Sequence, residues 1–170
     1  MNEFEIIDYI GYIGPLLLFI FIVYYLQTRP HYMWMYIVGT GFSICLNKLL
    51  KLICKEARPE NQMILSKIEI EQYTRDEIYG MPSGHAQSAF FSITYLYLVS
   101  KNKIGLIMSL FLGCITLYQR WKYRAHTVSQ LAIGTLVGTL FGYFVFYLAY
   151  RGLHSSWVWS EPVVRLWRTT

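Results

Sequence analysis

Five apolar runs alternate with polar segments along the chain, and the lengths of the runs are the first guide to its structure. A helix that crosses the hydrocarbon core of a bilayer needs about 20 apolar residues, with a range of about 17–25. The first, second and fifth runs have this length, whereas the third and fourth reach it only with flanking polar residues. The pattern predicts an all-α fold, a polytopic transmembrane helical bundle of about five spans. The runs comprise residues 10–26, 32–50, 86–99, 104–118 and 127–150.

The connections between the runs predict how the helices are arranged. Short connections make consecutive helices antiparallel neighbours in a compact bundle. One long polar segment, residues 55–79, separates the second and third runs. The short turns on the opposite side carry bases and no acid, and the positive-inside rule places that side in the cytoplasm. We therefore expect residues 1–150 to form a membrane-embedded domain in which 55–79 is a non-cytoplasmic loop. The short connections are residues 27–31, 100–103 and 119–125.

Residues 151–170 have a different composition from the apolar runs before them. They interleave tryptophan with arginine and are too polar to form a span. Such residues favour the membrane–water interface, so the pattern predicts an interfacial tail. A sixth span in this tail is the alternative.

The composition supports a membrane protein and restricts its partners. The chain of 170 residues is 55% hydrophobic and 15% charged, with a formal net charge of +5. Its bases lie at the ends of apolar runs, where lipid headgroups and phosphates are better partners than nucleic acid. We expect the bilayer and a lipid phosphate or diphosphate as partners, and no nucleic acid. Cys45, Cys54 and Cys114 lack paired spacing and are interpreted as small core residues rather than disulfides or zinc ligands.

Three polar clusters border the apolar runs on the side of the long loop. The first contains Lys51, Arg58 and Pro59. If the second helix continues until Pro59 ends it, Lys51 and Arg58 lie seven residues apart and project from one face. Bases at the ends of spans also commonly snorkel to the interface without a chemical role. This cluster alone supports both interpretations equally.

The second cluster, residues 79–85, leads directly into the third run. Ser83 and Gly84 before a helix start offer a hydroxyl, free backbone N–H groups and the positive end of a helix dipole, which together bind anions. His85 follows them at once. The alternative, slightly favoured for this cluster alone, is that Ser83 is an ordinary N-cap and His85 an interfacial aromatic residue.

The third cluster, residues 119–130, opens the fifth run. His126 and Gln130 are four residues apart and share a helix face, so that the amide can orient the imidazole. Arg120 lies one loop away. Because topology alone places all three clusters on one side of the membrane, we expect them to form one site. Lysine, arginine, serine and histidine without metal-ligand spacing predict phosphate chemistry with no metal and no cofactor.

These clusters resemble, in residues and in order, the three motifs of the type 2 phosphatidic acid phosphatase superfamily, also called lipid phosphate phosphatases. The resemblance covers roughly residues 40–150. Residues 79–87 and 126–130 are most similar to the dolichyl-diphosphatase branch. The matching motifs are Lys51-x6-Arg58-Pro59, Pro82-Ser83-Gly84-His85 and Arg120-x5-His126.

The resemblance implies a role for each matching residue. His126 would attack phosphorus and carry the phosphoryl group. His85 would protonate the leaving oxygen and then activate the water that releases phosphate. The phosphate oxygens would be bound by charged, hydroxyl and backbone donors, namely Lys51, Arg58, Ser83, Gly84 and Arg120.

Two positions depart from the broad family pattern. Gln119 stands where a serine is usual, which removes one hydroxyl from the phosphate site. Gln130 stands where the broad family has aspartate, so it can accept the ring N–H of His126 but adds no charge. We expect this branch to work with glutamine, and weakened catalysis is the alternative. A carboxylate from Glu56 or Glu60 could supply the charge, and the sequence cannot place either.

Gly134, Gly138 and Gly142 continue the four-residue spacing that starts at His126 and Gln130. Small residues at this spacing let another helix approach closely in lipid. We expect this face to pack inside the bundle. A homodimer through the same face is the alternative.

The sequence thus favours a metal-independent phosphatase of polyprenyl diphosphates that acts through a phosphohistidine. We expect its site on the lumenal or exterior side of an endoplasmic reticulum-like membrane in a eukaryote or virus, and of the plasma membrane otherwise. A general lipid phosphate phosphatase acting on phosphatidate-type monoesters is one alternative. An inactive structural or lipid-binding protein is the other, supported only by Gln130.

Overall fold

The structure, a computed structural model, describes residues 6–60, 62–63 and 79–154. Five α-helices account for most of this part of the chain, and a short 3-10 turn, Leu26–Thr28, joins the first two. The predicted all-α fold is confirmed. In chain order the helices are α1 (Ile6–Tyr25), α2 (Pro30–Cys54), α3 (Gly84–Ser100), α4 (Lys103–Lys122) and α5 (Val128–His154).

Four of the helices are long and apolar enough to cross a membrane, judged by length and composition. They are α1 with its 3-10 turn, α2, α4 and α5. The remaining helix, α3, has 17 residues. At a rise of about 1.5 Å per residue it extends for about 26 Å, short of a hydrocarbon core of about 30 Å. The fifth span therefore stays a prediction for α3.

Helix α3 lies at the centre of the bundle, where it packs against α1, α2, α4 and α5. Its enclosed position explains the polar residues that shorten its apolar run. The side-chain amide of Gln87 donates to the carbonyl of Ser43 (2.7 Å) and accepts from Asn47 Nδ2 (2.9 Å), and Ser92 shares a hydrogen bond with Tyr36 (2.8 Å). Burial is acceptable for these groups because each is hydrogen-bonded to a neighbour.

The outer surface of the bundle is apolar, as expected of a protein in lipid. Large side chains such as Phe42 (66% exposed) and Leu140 (61% exposed) point outward. Cys45, Cys54 and Cys114 are also exposed, so the interpretation of the cysteines as core residues is wrong. Lipid tails are as apolar as the interior of the bundle, and a small apolar thiol has no reason to be buried.

The glycine face of α5 packs against α3. A Cβ atom at Gly134 would lie 2.6 Å from the carbonyl oxygen of Ser83, one at Gly138 would collide with the carbonyl of Gln87, and one at Gly142 would lie 2.8 Å from the carbonyl of Phe91. The expectation that this face packs inside the bundle is confirmed. The alternative of a homodimer through Gly134, Gly138 and Gly142 is wrong for this reason, because the backbone of α3 already occupies the face.

The end of α2 differs from the prediction. The helix ends at Cys54, and Lys55 adopts a left-handed conformation (φ 49°) whose N–H donates to the carbonyl of Lys51. Arg58 is therefore not on the helix. A proline disfavours helical geometry in the residue before it, and Arg58, which precedes Pro59, is accordingly not helical. The segment instead pairs with the chain before α3, through a bridge of Ala57 with Tyr79 and a hydrogen bond from Gly80 N–H to the Glu56 carbonyl (2.7 Å).

At the other end of the chain, α5 continues past residue 150 to His154. The predicted tail 151–170 therefore begins as helix, and Arg151 Nη1 donates to the hydroxyl of Tyr147 one turn earlier (3.0 Å). Residues 155–170 lie outside the described part of the chain, and so do the predicted interfacial tail beyond His154 and the alternative of a sixth span. Much of the predicted loop 55–79, residues 61 and 64–78, also lies outside it.

Candidate active site

The three polar clusters meet at one end of the bundle. Arg58, in the extended segment after α2, lies 3.5 Å from the ring of His126. The N–H of Ser83, at the start of α3, donates to the carbonyl of Gln130 in α5 (3.0 Å). Arg120, at the end of α4, accepts backbone hydrogen bonds from Ala125 and His126 on its carbonyl. The predicted juxtaposition of the clusters is confirmed, whereas the chemical role of each residue stays a prediction.

His126 is buried (3% exposed) in the loop between α4 and α5. It precedes the first residue of α5, so the expectation that His126 and Gln130 share a helix face is wrong in detail. Their contact forms nevertheless, with His126 Nδ1 3.1 Å from Gln130 Oε1. The other ring nitrogen, Nε2, is the one near Arg58, whose Nη1 also donates to the carbonyl of Ala125 (3.2 Å).

A capping box holds the side chain of Gln130. Thr127 Oγ1 accepts from the N–H of Gln130 (3.2 Å), and Gln130 Oε1 accepts from the N–H of Thr127 (3.3 Å). This is the reciprocal pattern that a threonine followed three residues later by glutamine forms at a helix start. The signal, Thr127-Val-Ser-Gln130, is readable in the sequence, although only the pairing of Gln130 with His126 was predicted from it.

The capping box also decides the tautomer of His126. Gln130 must present its oxygen to the N–H of Thr127, and the same oxygen faces His126 Nδ1. Nδ1 therefore carries the hydrogen and donates it, and Nε2 keeps its lone pair. That lone pair is on the side of Arg58.

The amide nitrogen of Gln130 faces the segment after α2. It donates to Glu56 Oε1 (2.9 Å) and to the carbonyl of Ala57 (2.8 Å). Gly80 leaves the room for this amide, because a Cβ atom there would lie 2.6 Å from Gln130 Nε2. Of the two carboxylates that the sequence left open, Glu56 contacts Gln130, whereas Glu60 is exposed.

Burial keeps the imidazole of His126 neutral. Removal from water disfavours its charged form, and the positive charge of Arg58 beside the ring adds to this effect, so that the pKa of His126 falls to about 3. A neutral imidazole with no proton on Nε2 has the protonation state that a nucleophile needs.

His85 lies in the first turn of α3, on the other side of the cluster. Its ring packs against the ring of Tyr12 in α1, with centroids 5.6 Å apart. Arg120, His126 and Arg58 all lie within electrostatic range of it. The two histidines therefore lie at the same end of the bundle, and their chemical partnership stays a prediction.

Arg120 is almost fully buried (1% exposed) and is held by two neighbours. Its Nε donates to Gln119 Oε1 (2.8 Å), and its guanidinium lies 5.1 Å from the centre of the Tyr12 ring. From the sequence, Gln119 was interpreted only as a lost hydroxyl, whereas its amide orients the arginine. Tyr12 was missed altogether, since an aromatic residue in an apolar run carries no signal of chemistry.

The remaining predicted site residues lie around this core. Lys51 is buried in the last turn of α2 and within electrostatic range of His126. Ser83 is the N-cap of α3, where its hydroxyl accepts from the N–H of Ala86 (3.4 Å), and Gly84 is the first residue of that helix. The capping interpretation of Ser83 is thus confirmed, and its phosphate contact stays a prediction.

The site is dominated by cations rather than by metal ligands. Lys51, Arg58 and Arg120 surround two imidazoles, a set suited to an anion with several oxygens. Among the residues that the structure describes, no group of three or more histidine, cysteine, aspartate or glutamate side chains could hold a metal ion.

Comparison with known proteins gives a consistent family. The model of the PAP2 superfamily matches residues 32–153 of the chain. Lipid phosphate phosphatase gamma of Arabidopsis thaliana is 29% identical over 125 residues, which are 67% of this chain and 46% of that protein. Dolichyldiphosphatase 1 of Dictyostelium discoideum is 31% identical over 117 residues, 62% of this chain and 47% of that protein. The chain thus spans about half the length of these two relatives.

A longer match and a solved structure extend the comparison. The dolichyldiphosphatase of Saccharomyces cerevisiae is 26% identical over 175 residues, covering 95% of this chain and 72% of that protein. The crystal structure of a PAP2 type phosphatidylglycerolphosphate phosphatase from Bacillus subtilis superimposes with a TM-score of 0.67 at 18% identity. It covers 86% of this chain and 76% of that one, and at this identity it supports the fold alone.

Proposed function

The chain belongs to the PAP2 superfamily of membrane phosphatases, and from this membership we propose that it hydrolyses a polyprenyl diphosphate of the dolichyl type to the monophosphate. The reaction proceeds through a phosphohistidine on His126 and needs no metal. The observation that carries the proposal is the state of His126, which donates from Nδ1 to Gln130 and keeps its Nε2 lone pair beside Arg58.

In the first step His126 Nε2 attacks the terminal phosphorus in line with the bridging oxygen. The P–N bond forms as the P–O bond breaks, and the polyprenyl monophosphate leaves with the bonding electrons. Lys51, Arg58 and Arg120 hold the phosphoryl oxygens, as the cation cluster around the ring supports. Fixed donors of this kind lower the barrier because they need no reorganisation.

In the second step His85 activates water. His85 takes up a proton when the anionic diphosphate binds, and it gives this proton to the leaving oxygen in the first step. It is then neutral and takes a proton from the water that attacks phosphorus. The P–N bond breaks, inorganic phosphate leaves, and His126 returns to its starting state. The position of His85 in the first turn of α3, with its ring against Tyr12 at the end of the bundle where the three clusters meet, supports this assignment.

Two observations support a polyprenyl substrate. Two of the relatives are named dolichyldiphosphatases. An apolar groove of about 510 Å³ also runs between α2 and α5, and its end at Leu49 is two residues from Lys51. A prenyl chain in this groove would place its diphosphate at the cations. The groove is lined by Met35, Val38, Gly39, Phe42, Cys45, Leu46, Leu49, Phe141, Phe144, Val145 and Leu148.

A general lipid phosphate phosphatase is the second candidate, because another relative is named lipid phosphate phosphatase gamma. The third interpretation, an inactive lipid-binding protein, rested on Gln130 alone. Its support weakens, since the amide of Gln130 is ordered by the capping box and accepts from His126 as an active site requires.

For the location we propose a multi-pass protein whose site faces the lumen or the exterior, in an endoplasmic reticulum-like membrane of a eukaryote or virus and in the plasma membrane otherwise. The basic residues of the short turns support this orientation, because they mark the cytoplasmic side.

The test is phosphate release by the purified full chain in detergent. Polyprenyl diphosphate labelled in its terminal phosphate should be turned over faster than phosphatidate, with and without a chelator, and acid quenching should be avoided because phosphohistidine is acid-labile. The label should be trapped on the wild-type protein and be absent from His126→Gln. A matched control is His31→Gln at the opposite end of the bundle, which should keep the label. Chelator sensitivity, or label in His126→Gln, would contradict the proposal.

A further inference from the structure

Glu56 lies behind the residue that orients the nucleophile. Its Oε1 accepts from Gln130 Nε2 (2.9 Å), while Gln130 Oε1 accepts from His126 Nδ1 (3.1 Å). The amide therefore connects a carboxylate to the imidazole, although the two side chains come from positions 70 residues apart (126 − 56).

The orientation of this chain of hydrogen bonds is fixed independently of Glu56. The N–H of Thr127 requires the amide oxygen on one side, and the carbonyl of Ala57 requires the amide nitrogen on the other. The absence of a side chain at Gly80 gives the amide its room, because a Cβ atom there would lie 2.6 Å from Gln130 Nε2. Gln130 itself is 0% exposed, whereas Glu56 is only partly buried.

We propose that Glu56 is a positioning residue for His126 and acts through Gln130. Both donors in the chain point toward the carboxylate, from Nδ1 to Oε1 and from Nε2 to Glu56. Such bonds polarise one another, and a positive charge on the imidazole strengthens both. The inference rests on the proposed function, since that charge develops when Nε2 is phosphorylated.

No proton is transferred along this chain. The amide keeps its two hydrogens, and the carboxylate stabilises the imidazolium by its field and by holding the amide dipole. Glu56 thereby supplies the negative charge that an aspartate in direct contact with the histidine would bring. Gln130 thus connects the carboxylate of Glu56 to His126, so the charge that is absent at position 130 is supplied from position 56.

A purely structural role is the competing explanation, in which Glu56 merely satisfies the amide nitrogen of Gln130. Glu56→Gln separates the two roles, because glutamine has the same shape and can still accept from Gln130 Nε2 but carries no charge. Loss of the charge should lower kcat roughly tenfold or more, since a carboxylate one amide group away from a buried cation is screened less than it would be in water. The KM and the melting temperature should stay near their wild-type values.

Glu60→Gln is the matched control. It removes the same charge from the same segment, but from an exposed side chain. We expect it to keep wild-type kcat. A wild-type kcat in Glu56→Gln would overturn the inference, and so would a fall in kcat accompanied by a lower melting temperature, which would assign Glu56 to structure.

A second variant keeps the test decisive if Glu56→Gln accumulates poorly. Gln130→Glu places a carboxylate against Glu56 and the carbonyl of Ala57, and it should be strongly impaired. In the double variant E56Q/Q130E the two side chains exchange chemistry, so that the amide now at position 56 can donate to the carboxylate that contacts His126 directly. The double variant should be more active than Gln130→Glu. Equal or lower activity would overturn the inference.

Failure of the inference and failure of the proposed function are distinguishable. Label trapped on His126 at equal rates in wild type and Glu56→Gln would remove the role of Glu56 and leave the phosphohistidine intact. Activity in His126→Gln would remove the proposed function itself.

Discussion

The side chain of Gln130 hydrogen-bonds four partners: the ring of His126, the N–H of Thr127, the carboxylate of Glu56 and the carbonyl of Ala57. An aspartate at this position has no side-chain N–H to donate, so the carbonyl of Ala57 and the carboxylate of Glu56 would lose their donor and face a second carboxylate. Unsatisfied buried groups are costly. Gln130 and Glu56 are therefore interdependent, because the amide of Gln130 needs an acceptor and the carboxylate of Glu56 needs a donor.

The lowered pKa of His126 leads to the first prediction. In the free protein the ring should stay neutral, with hydrogen on Nδ1, as the pH falls from 7 to about 5, because its pKa lies well below the ordinary 6.5. Nitrogen NMR of protein labelled in histidine, with the resonance assigned by His126→Gln, would measure this. A protonation midpoint near 6.5 would contradict the burial argument.

The same shift affects stability with a definite sign. Below the ordinary pKa of 6.5 the unfolded chain binds a proton at this histidine that the folded protein does not bind. Protonation therefore favours the unfolded state, and this group lowers the stability of the fold as the pH falls. A His126→Gln variant should lose less stability between about pH 7 and about pH 5 than the wild type, measured by denaturation in detergent.

At the scale of elements, α1 is part of the site although no predicted site residue lies on it. Asp8, buried near its start, accepts from Lys122 Nζ (2.9 Å) and from the hydroxyl of Tyr123 (2.9 Å) at the end of α4. One turn later Tyr12 contacts both Arg120 and His85. The helix thus contacts His85, the proposed leaving-group acid, and Arg120, a proposed phosphate-binding residue.

Tyr12→Leu should therefore lower activity more than stability. Leucine keeps most of the apolar volume but removes the ring that faces Arg120, an interaction worth about 1–2 kcal/mol when it is shielded from water. We expect kcat/KM to fall about fivefold to thirtyfold. Tyr24→Leu, on the same helix at a position 70% exposed, is the control. Equal kcat/KM in the two variants would show that α1 does not support the site.

The contact of α5 with α3 leads to a prediction about packing. Gly138→Ala places a methyl group into the carbonyl of Gln87, and overpacking of this kind costs about 1–3 kcal/mol. Both the melting temperature and the activity should fall, because His85 lies in the first turn of α3 and His126 directly precedes α5. Gly41→Ala on α2 has no atom within 4 Å of its new methyl group and should be neutral or stabilising. Full activity in Gly138→Ala would contradict this coupling.

The five helices follow from the apolar runs, but their ends depend on other information. The end of α2 is set by hydrogen bonds of Glu56 and Ala57 to Gly80 and Gln130, which are distant in the sequence. The proline after Arg58 shows that the helix must stop, though not where. The start of α5 is indicated in the sequence by the capping box of Thr127 and Gln130. Tyr12 could not be predicted, since only the packed bundle shows which face of α1 meets Arg120.

At the scale of the whole molecule, topology accounts for most of the site. Alternation of apolar runs is sufficient to place Lys51, His85 and His126 at one end. The hydrogen-bonded chain from Glu56 to His126 cannot be predicted in this way. It depends on how the segment after α2 is oriented relative to the start of α5, which the topology does not fix. The place of the site and its residue types were therefore predictable from the sequence, whereas the order of contact among the side chains was not.

The groove between α2 and α5 allows a test of substrate length. Cys45→Trp should fill part of the groove and lower kcat/KM for a long polyprenyl diphosphate relative to a short one. Lipid already surrounds the groove, so we expect a modest change, about threefold to tenfold. Cys114→Trp, exposed on α4, is the control. An unchanged preference for chain length in Cys45→Trp would exclude this groove as the site of the prenyl chain.

The bridge between Ala57 and Tyr79, reinforced by the hydrogen bond from Gly80 to Glu56, clamps the two ends of the intervening peptide together beside the site. The number of residues after Met63 can therefore change without moving the ends of this peptide at the candidate site. Doubling the number of residues in a closed loop adds only about 0.6 kcal/mol of entropy cost. A reporter peptide or a recognition tag inserted after Met63, whose N–H donates to the carbonyl of Tyr123 (2.9 Å), should thus leave turnover intact.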